Sequence, residues 1–213
     1  MSDAAFYSVI MAGGASSRFW PFDGDANPKF LLKPDGEKSL LRHAYERAAA
    51  LSERENILVV TGLKQAEIIR NELPEVERAN LLIEPSRRDT LAAAGWAMAE
   101  ISRRDENAMA LLTPADSFFE PQQEFAKAIQ AASKENSFEA GRLYAIGVKP
   151  TRAETGFGYI EIESHNPALV QAALRFVEKP DAERAAEYVQ SGRFLWNVGS
   201  FVWRVEDFLA EVK

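Results

Sequence analysis

The apolar positions of this chain follow two rhythms in turn. Short, nearly unbroken apolar runs at Phe6–Met11, Ile57–Thr61, Leu81–Glu84, Ala108–Thr113 and Leu143–Val148 read as buried strands. Between them the spacing lengthens to three and four. Ser39 followed by Leu40, Leu41, Ala44, Tyr45, Ala48 and Leu51 predicts a capped amphipathic helix. A second helix is predicted over Lys64–Leu73, stopped by Pro74, and an Ala-rich one over Thr90–Arg103. Pro121–Lys134 reads as a fourth, with proline in its first turn. Strand and helix in alternation predict βα units and an α/β fold with a mainly parallel sheet flanked by helices.

After Pro150 the period shortens to two. Phe157–Glu163 and Ala173–Glu178 alternate apolar and polar residues, as antiparallel strands with one wet face do. A helix over Asp181–Ser191 and a last strand over Phe194–Val205 follow. The expectation is one domain over 1–213, a parallel part at 1–150 joined to a mixed or antiparallel annex at 151–213. The sequence stops at Glu211-Val212-Lys213 as a further helix begins, which predicts an incomplete C-terminus.

Composition narrows the function classes. At 213 residues, 46% hydrophobic and 27% charged, the chain has the balance of a soluble globular protein able to bury its own core. A net charge of −7 argues against a general nucleic-acid or anionic-membrane binder, so an anionic ligand needs a local cationic pocket or a metal ion. There is no cysteine, hence no disulfide framework and no thiolate metal site. The two histidines, His43 and His165, lack zinc-site spacing and read as ordinary surface or cap residues. No apolar stretch approaches the ~18 residues of a membrane span, and the first residues lack a basic leader region. A cytoplasmic location is expected. Trp20, Trp196 and Trp203 read as core.

The chemistry concentrates in "VIMAGGASSRFWPFDGDANPKFLL", residues 9–32. Gly13 and Gly14 follow a strand, where bare backbone can approach a ligand and its N–H groups can meet an anion. Neither a P-loop, GxxxxGK(S/T), nor a dinucleotide fingerprint, GxGxxG, is spelled here, which disfavours an NAD-dependent dehydrogenase. Arg18 offers a rigid fork for phosphate oxygens and Lys29 a mobile point charge. Taken alone, these residues also fit a tight turn and two solvated cations. Asp116 ends a strand where a hard oxygen ligand can hold Mg²⁺; a turn or capping carboxylate is the alternative.

This opening resembles the signature of the sugar nucleotidyltransferases, above all the mannose-1-phosphate guanylyltransferases. Five further blocks agree in order: "EPSRRDTLAAA" (84–94), "LLTPAD" (111–116), "ETGFGYIE" (154–161), "FVEKPD" (176–181) and "FLWNVGSF" (194–201). The resemblance implies a Rossmann-like nucleotide-binding part and a sugar-binding annex. It implies an enzyme joining GTP and mannose 1-phosphate into GDP-mannose with Mg²⁺, releasing pyrophosphate. Arg18 and Lys29 are then the catalytic cations on the triphosphate. Ala12, Gly13, Gly14, Glu84, Pro85, Asp89 and Thr90 line the nucleotide, with Glu84 or Pro85 toward guanine. Gly156, Gly158, Glu178, Lys179 and Asn197 take the sugar phosphate, and Asp116 holds the metal. Asp89 stands where the family spelling has asparagine, and helix capping is its alternative role. A sister enzyme using UTP, ATP or glucose 1-phosphate, and a non-catalytic nucleotide-sugar-binding homologue, remain alternatives. A homo-oligomer is left open.

Overall fold

The computed structural model describes residues 4–13, 27–86, 88–135, 141–163 and 169–212. Among them eight strands form one sheet: β1 (Phe6–Ala12), β2 (Ile57–Gly62), β3 (Leu81–Glu84), β4 (Met109–Pro114), β5 (Leu143–Val148), β6 (Gly158–Ile162), β7 (Ala173–Val177) and β8 (Phe194–Arg204). Six helices accompany them: α1 (Leu40–Ala49), α2 (Ala66–Glu72), α3 (Asp89–Arg104), α4 (Gln122–Glu135), α5 (Ala182–Ser191) and α6 (Val205–Glu211). The sheet order is β3-β2-β1-β4-β8-β6-β7, with β5 also paired to β8. β3, β2, β1 and β4 run parallel, and every pairing beyond β4 is antiparallel. The change of rhythm in the sequence is thus a change of strand direction.

Burial explains the parallel half. All six residues of β2 are buried, because helices cover both faces of the sheet. On one face Val9, Leu58, Val60, Ala110 and Leu112 pack with Ala94, Ala97, Met98 and Ile101 of α3 and Val205 and Phe208 of α6. On the other, Ile10, Ile57 and Val59 pack with Leu41, Ala44 and Ala48 of α1 and Ala66 and Ile69 of α2. Further along that sheet α4 adds Phe125 and Ile129 against Leu111, Ile146 and Val202. In the annex, Ala185 and Tyr188 of α5 close over Tyr159, Phe194 and Trp196. Trp196 and Trp203 are core, as expected, and the Trp203 indole donates to Met98 sulfur at 3.0 Å. Trp20 lies outside the described residues.

Two strand connections position the site. β8 spans eleven residues, pairing with β4 through Phe201–Arg204 and with β6 through Phe194–Asn197. Between these stretches Gly199 takes φ 72°, a left-handed bend that glycine adopts without strain. The second connection is the return from β3 through α3 to β4. β1 has β2 on one side and β4 on the other, so the strand order reverses at the β1/β4 boundary. In open parallel sheets, ligands bind beyond the carboxyl ends of the strands at such a reversal.

Candidate active site

A cleft of about 1230 Å³ opens at that boundary. Pockets for one small ligand usually fall between about 300 and 1,000 Å³, and this cleft is larger. Ala12 and Gly13, at the end of β1, line it together with Asp116, just past the end of β4. Pro28 and Lys29 enter from the 3₁₀ turn Lys29–Leu31, anchored by buried Phe30. The annex contributes Glu154, Gly156, Phe157, Gly158, Glu178, Lys179, Trp196 and Asn197.

Where β1 and β4 end, Lys29 Nζ donates to Asp116 Oδ2 at 3.0 Å. The two side chains are 30% and 43% exposed, so both remain reachable from the cleft. The expected phosphate cation and the expected metal carboxylate are therefore brought together. Arg18 and Gly14 lie outside the described residues. Glu84 sits at the end of β3, and its Oε2 would lie 3.8 Å from a side chain added at Gly13. The described lining of the cleft does not include Glu84, Pro85, Asp89 or Thr90. Asp89 is not the cap of α3. Arg88 holds that place, with no side-chain capping bond, while Asp89 opens the helix at φ 61°. Aspartate tolerates this left-handed backbone better than most residues.

On the annex side the glycines are adjacent to carboxylates. A Cβ at Gly158 would stand 2.6 Å from Phe176 Cζ and 2.9 Å from Glu178 Oε2; at Gly156 it would stand 3.2 Å from Glu154 Oε1. Gly156 N–H donates to Glu154 Oε1 at 3.0 Å, and the Arg152 guanidinium pairs with Oε2. These two partners hold the Glu154 carboxyl below its ordinary pKa. The buried Tyr159 hydroxyl accepts from Glu154 N–H and donates to Glu154 C=O, which fixes the turn from both sides. Lys179 adopts φ 42°, a backbone state rare for a residue with a side chain, and pairs with Glu178. Asn197 Oδ1 accepts from Gly199 N–H at 3.1 Å, leaving its NH₂ as donor.

A family model described as nucleotidyl transferase matches residues 7–213. The chain belongs to the nucleotidyl transferase family. It is 34% identical over 213 residues to mannose-1-phosphate guanylyltransferase RfbM of Salmonella typhimurium, across 98% of this chain and 44% of that protein. To alginate biosynthesis protein AlgA of Pseudomonas putida it is 34% identical over 209 residues, across 96% of this chain and 42% of that one. It is also similar to the solved structure of mannose-1-phosphate geranyltransferase from Thermus thermophilus. There the TM-score is 0.84 and the identity 32%, covering 95% of this chain and 58% of the other. The chain spans less than half the length of these curated relatives. Among its described residues, no helix is long and apolar enough to cross a membrane.

Besides the capping role of Asp89, the structure corrects the reading of a histidine in this nucleotidyl transferase chain. His43 is neither a surface residue nor a cap. Its side chain is 8% exposed, and Nε2 lies 2.8 Å from Asp35 Oδ2. The backbone N–H groups of Lys38 and Glu37, followed by His43, pull the Asp35 pKa down to about 2. His165 lies outside the described residues. Sequence reasoning also passed over Glu154, although "ETGFGYIE" contains it, and over Arg47. The signal for Arg47 and His43 was their i, i+4 spacing beside the apolar stripe of α1.

Proposed function

We propose that this chain carries the catalytic part of an enzyme that makes GDP-mannose and pyrophosphate from GTP and mannose 1-phosphate. An oxygen of the sugar phosphate attacks the α-phosphorus of GTP. The bond from that phosphorus to the bridging oxygen breaks, and pyrophosphate leaves. Both reactants are anions, so the protein's work is positioning and charge neutralisation. The observation that carries this reading is the Lys29–Asp116 pair at the strand reversal, inside a cleft larger than one small ligand usually takes. The mannose-1-phosphate guanylyltransferases among its relatives support the choice of substrates.

In this reading Lys29 leaves Asp116 for the triphosphate and stabilises charge growing on the departing pyrophosphate. The family resemblance gives Arg18 the same role. Ala12 and Gly13 let backbone pass close to the nucleotide, while Gly14, Pro85, Asp89 and Thr90, outside the described lining of the cleft, are assigned to it by the family resemblance alone. Guanine presents N1–H and N2–H₂ donors, and the Glu84 carboxylate beside Gly13 has the acceptors to match them. At the other end Gly156 and Gly158 admit the sugar, Glu178 accepts from its hydroxyls, and Asn197 donates. Lys179 exchanges Glu178 for the sugar phosphate.

The residues present fit Mg²⁺. Among the described residues no three His, Asp or Glu side chains form an all-protein cage. Mg²⁺ characteristically takes one or two carboxylates and completes its shell with water and substrate phosphates. Asp116, on the cleft wall, supplies such a carboxylate. When bound there, Mg²⁺ contributes neutralisation of triphosphate charge.

Measuring pyrophosphate release with GTP, ATP and UTP, each with mannose 1-phosphate and glucose 1-phosphate, tests the proposal. Turnover is expected for GTP with mannose 1-phosphate. A preference for UTP or ATP would remove the guanylyl assignment.

A further inference from the structure

The buried face of α1 carries two polar residues where its period calls for apolar ones. His43 and Arg47 stand one turn apart, and both are buried. Arg47 is 3% exposed, yet among the described residues none of its three guanidinium nitrogens meets a hydrogen-bond acceptor. Its Cζ lies 4.9 Å from the centre of the Phe119 ring and 5.7 Å from that of Phe125. Burial pulls its pKa down to about 10, the mark of a charge its surroundings do not fully compensate. His43 touches the same stretch of chain. Its ring meets Phe118 edge-on at 5.1 Å, and its Nδ1 lies 3.4 Å from Gln122 Nε2.

Burying a cation without an acceptor is strongly unfavourable. The ring faces and the carbonyl end of α1 return only part of that cost. Packing therefore does not account for Arg47, since a methionine of similar reach fills space without the charge. What the two residues share is the object they hold. Phe118, Phe119, Gln122 and Phe125 belong to the segment that leaves the sheet directly after Asp116. Phe118, Phe119 and Phe125 also line the cleft. A cation over a ring is a directional contact, so it selects one placement of that segment against α1. The start of α1 is in turn tied to the Lys29 segment, because Leu40 N–H donates to Leu32 C=O at 2.9 Å.

We infer that Arg47, with His43, is a positioning residue that aims Asp116 by fixing the segment 117–125. The inference rests on the reading of Asp116 as the carboxylate for Mg²⁺. It makes α1 the common reference for both halves of the Lys29–Asp116 pair.

The test is a Mg²⁺ titration of GTP binding by calorimetry, with thermal unfolding in parallel, on the parent chain, Arg47→Met and Arg47→Lys. Arg47→Met should melt at or above the parent temperature. It should need on the order of tenfold more Mg²⁺ for half-maximal GTP binding, the usual scale for losing a group that orients a metal ligand. The weaker, metal-free GTP binding should not change, and Arg47→Lys should recover most of the Mg²⁺ response. His43→Gln, whose amide nitrogen can take the place of Nε2 toward Asp35, serves as the second variant and should shift the titration less. An unmoved Mg²⁺ midpoint in a well-folded Arg47→Met would overturn the inference. So would lower melting with equal loss of GTP binding with and without metal. If the parent itself binds GTP without regard to Mg²⁺, the metal reading of Asp116 fails, and this inference fails with it.

Discussion

Lys29 and Asp116 stand 87 residues apart in sequence and 3.0 Å apart in space. Neither stands out alone, since a half-exposed lysine and a carboxylate after a strand are common. Their meeting at the β1/β4 boundary makes them a candidate for handling a metal-bound polyphosphate. Replacing Lys29 with alanine should lower kcat by about 10²–10³, the scale for removing one donor to developing charge. Circular dichroism should be unchanged, because the side chain lies on the cleft wall; an unchanged kcat would remove Lys29 from the mechanism. The residue types and their order were legible in the sequence, but the pairing was not. Nothing in "PKFLL" or "LLTPAD" encodes the distance between them; β1 and β4 set it by lying side by side. Arg47 shows the opposite limit. Its place on the buried face of α1 follows from spacing, but its lack of an acceptor among the described residues depends on the neighbouring α4 and the segment before it.

At the scale of elements, periodicity placed the eight strands and α1–α5 within a residue or two of their positions, but α6 spans Val205–Glu211, where the sequence reading had a helix only beginning at Glu211. The Ser39 cap appears as read, its side chain accepting from Arg42 N–H at 3.0 Å. Ser39 also donates to Glu72, tying α1 to α2. Ser39→Ala should therefore cost about 1–2 kcal/mol of stability, measurable by denaturant unfolding, with substrate affinities unchanged. The second helix is shorter than its pattern, because Leu63–Gln65 winds as a 3₁₀ turn before α2 begins. β6 and β7 were legible as antiparallel strands, but the single wet face their alternation predicts is absent, since β6 is buried throughout and β7 is largely exposed. The close approach at Gly158 was not legible either. There a methyl group must displace both Phe176 and Glu178, which lie 2.6 and 2.9 Å from its place. Gly158→Ala should raise KM for mannose 1-phosphate by roughly tenfold or more while leaving KM for GTP alone. Equal effects on both substrates would place that turn outside the sugar end.

At the scale of the molecule, charge unites fold and function. The described lining of the cleft holds Asp116, Glu120, Glu124, Glu154 and Glu178 against Lys29 and Lys179, in a chain of net charge −7. Such a site repels a bare triphosphate, so chelating the metal should weaken GTP binding by about tenfold or more. Acid should act on a different set of groups. The Asp35 pKa falls from 3.8 to about 2 through backbone N–H bonds, and that of Glu100 from 4.5 to about 2 through Arg103 and Arg104. A lowered carboxylate pKa stabilises the fold above its unfolded value and loses that contribution as pH falls. Stability should therefore drain between about pH 4.5 and 2, and Asp35→Asn with Glu100→Gln should flatten the decline in an acid titration.

The central claim is that Lys29 and Asp116 act together on one metal-bound triphosphate. A double-mutant cycle of Lys29→Met and Asp116→Asn, read as kcat/KM for GTP with Mg²⁺ and saturating mannose 1-phosphate, tests it most directly. The account predicts that the double variant loses little more than the worse single one, a coupling of about 1 kcal/mol or more. Losses that add to within about 0.5 kcal/mol would mean the two side chains work apart, and would contradict it.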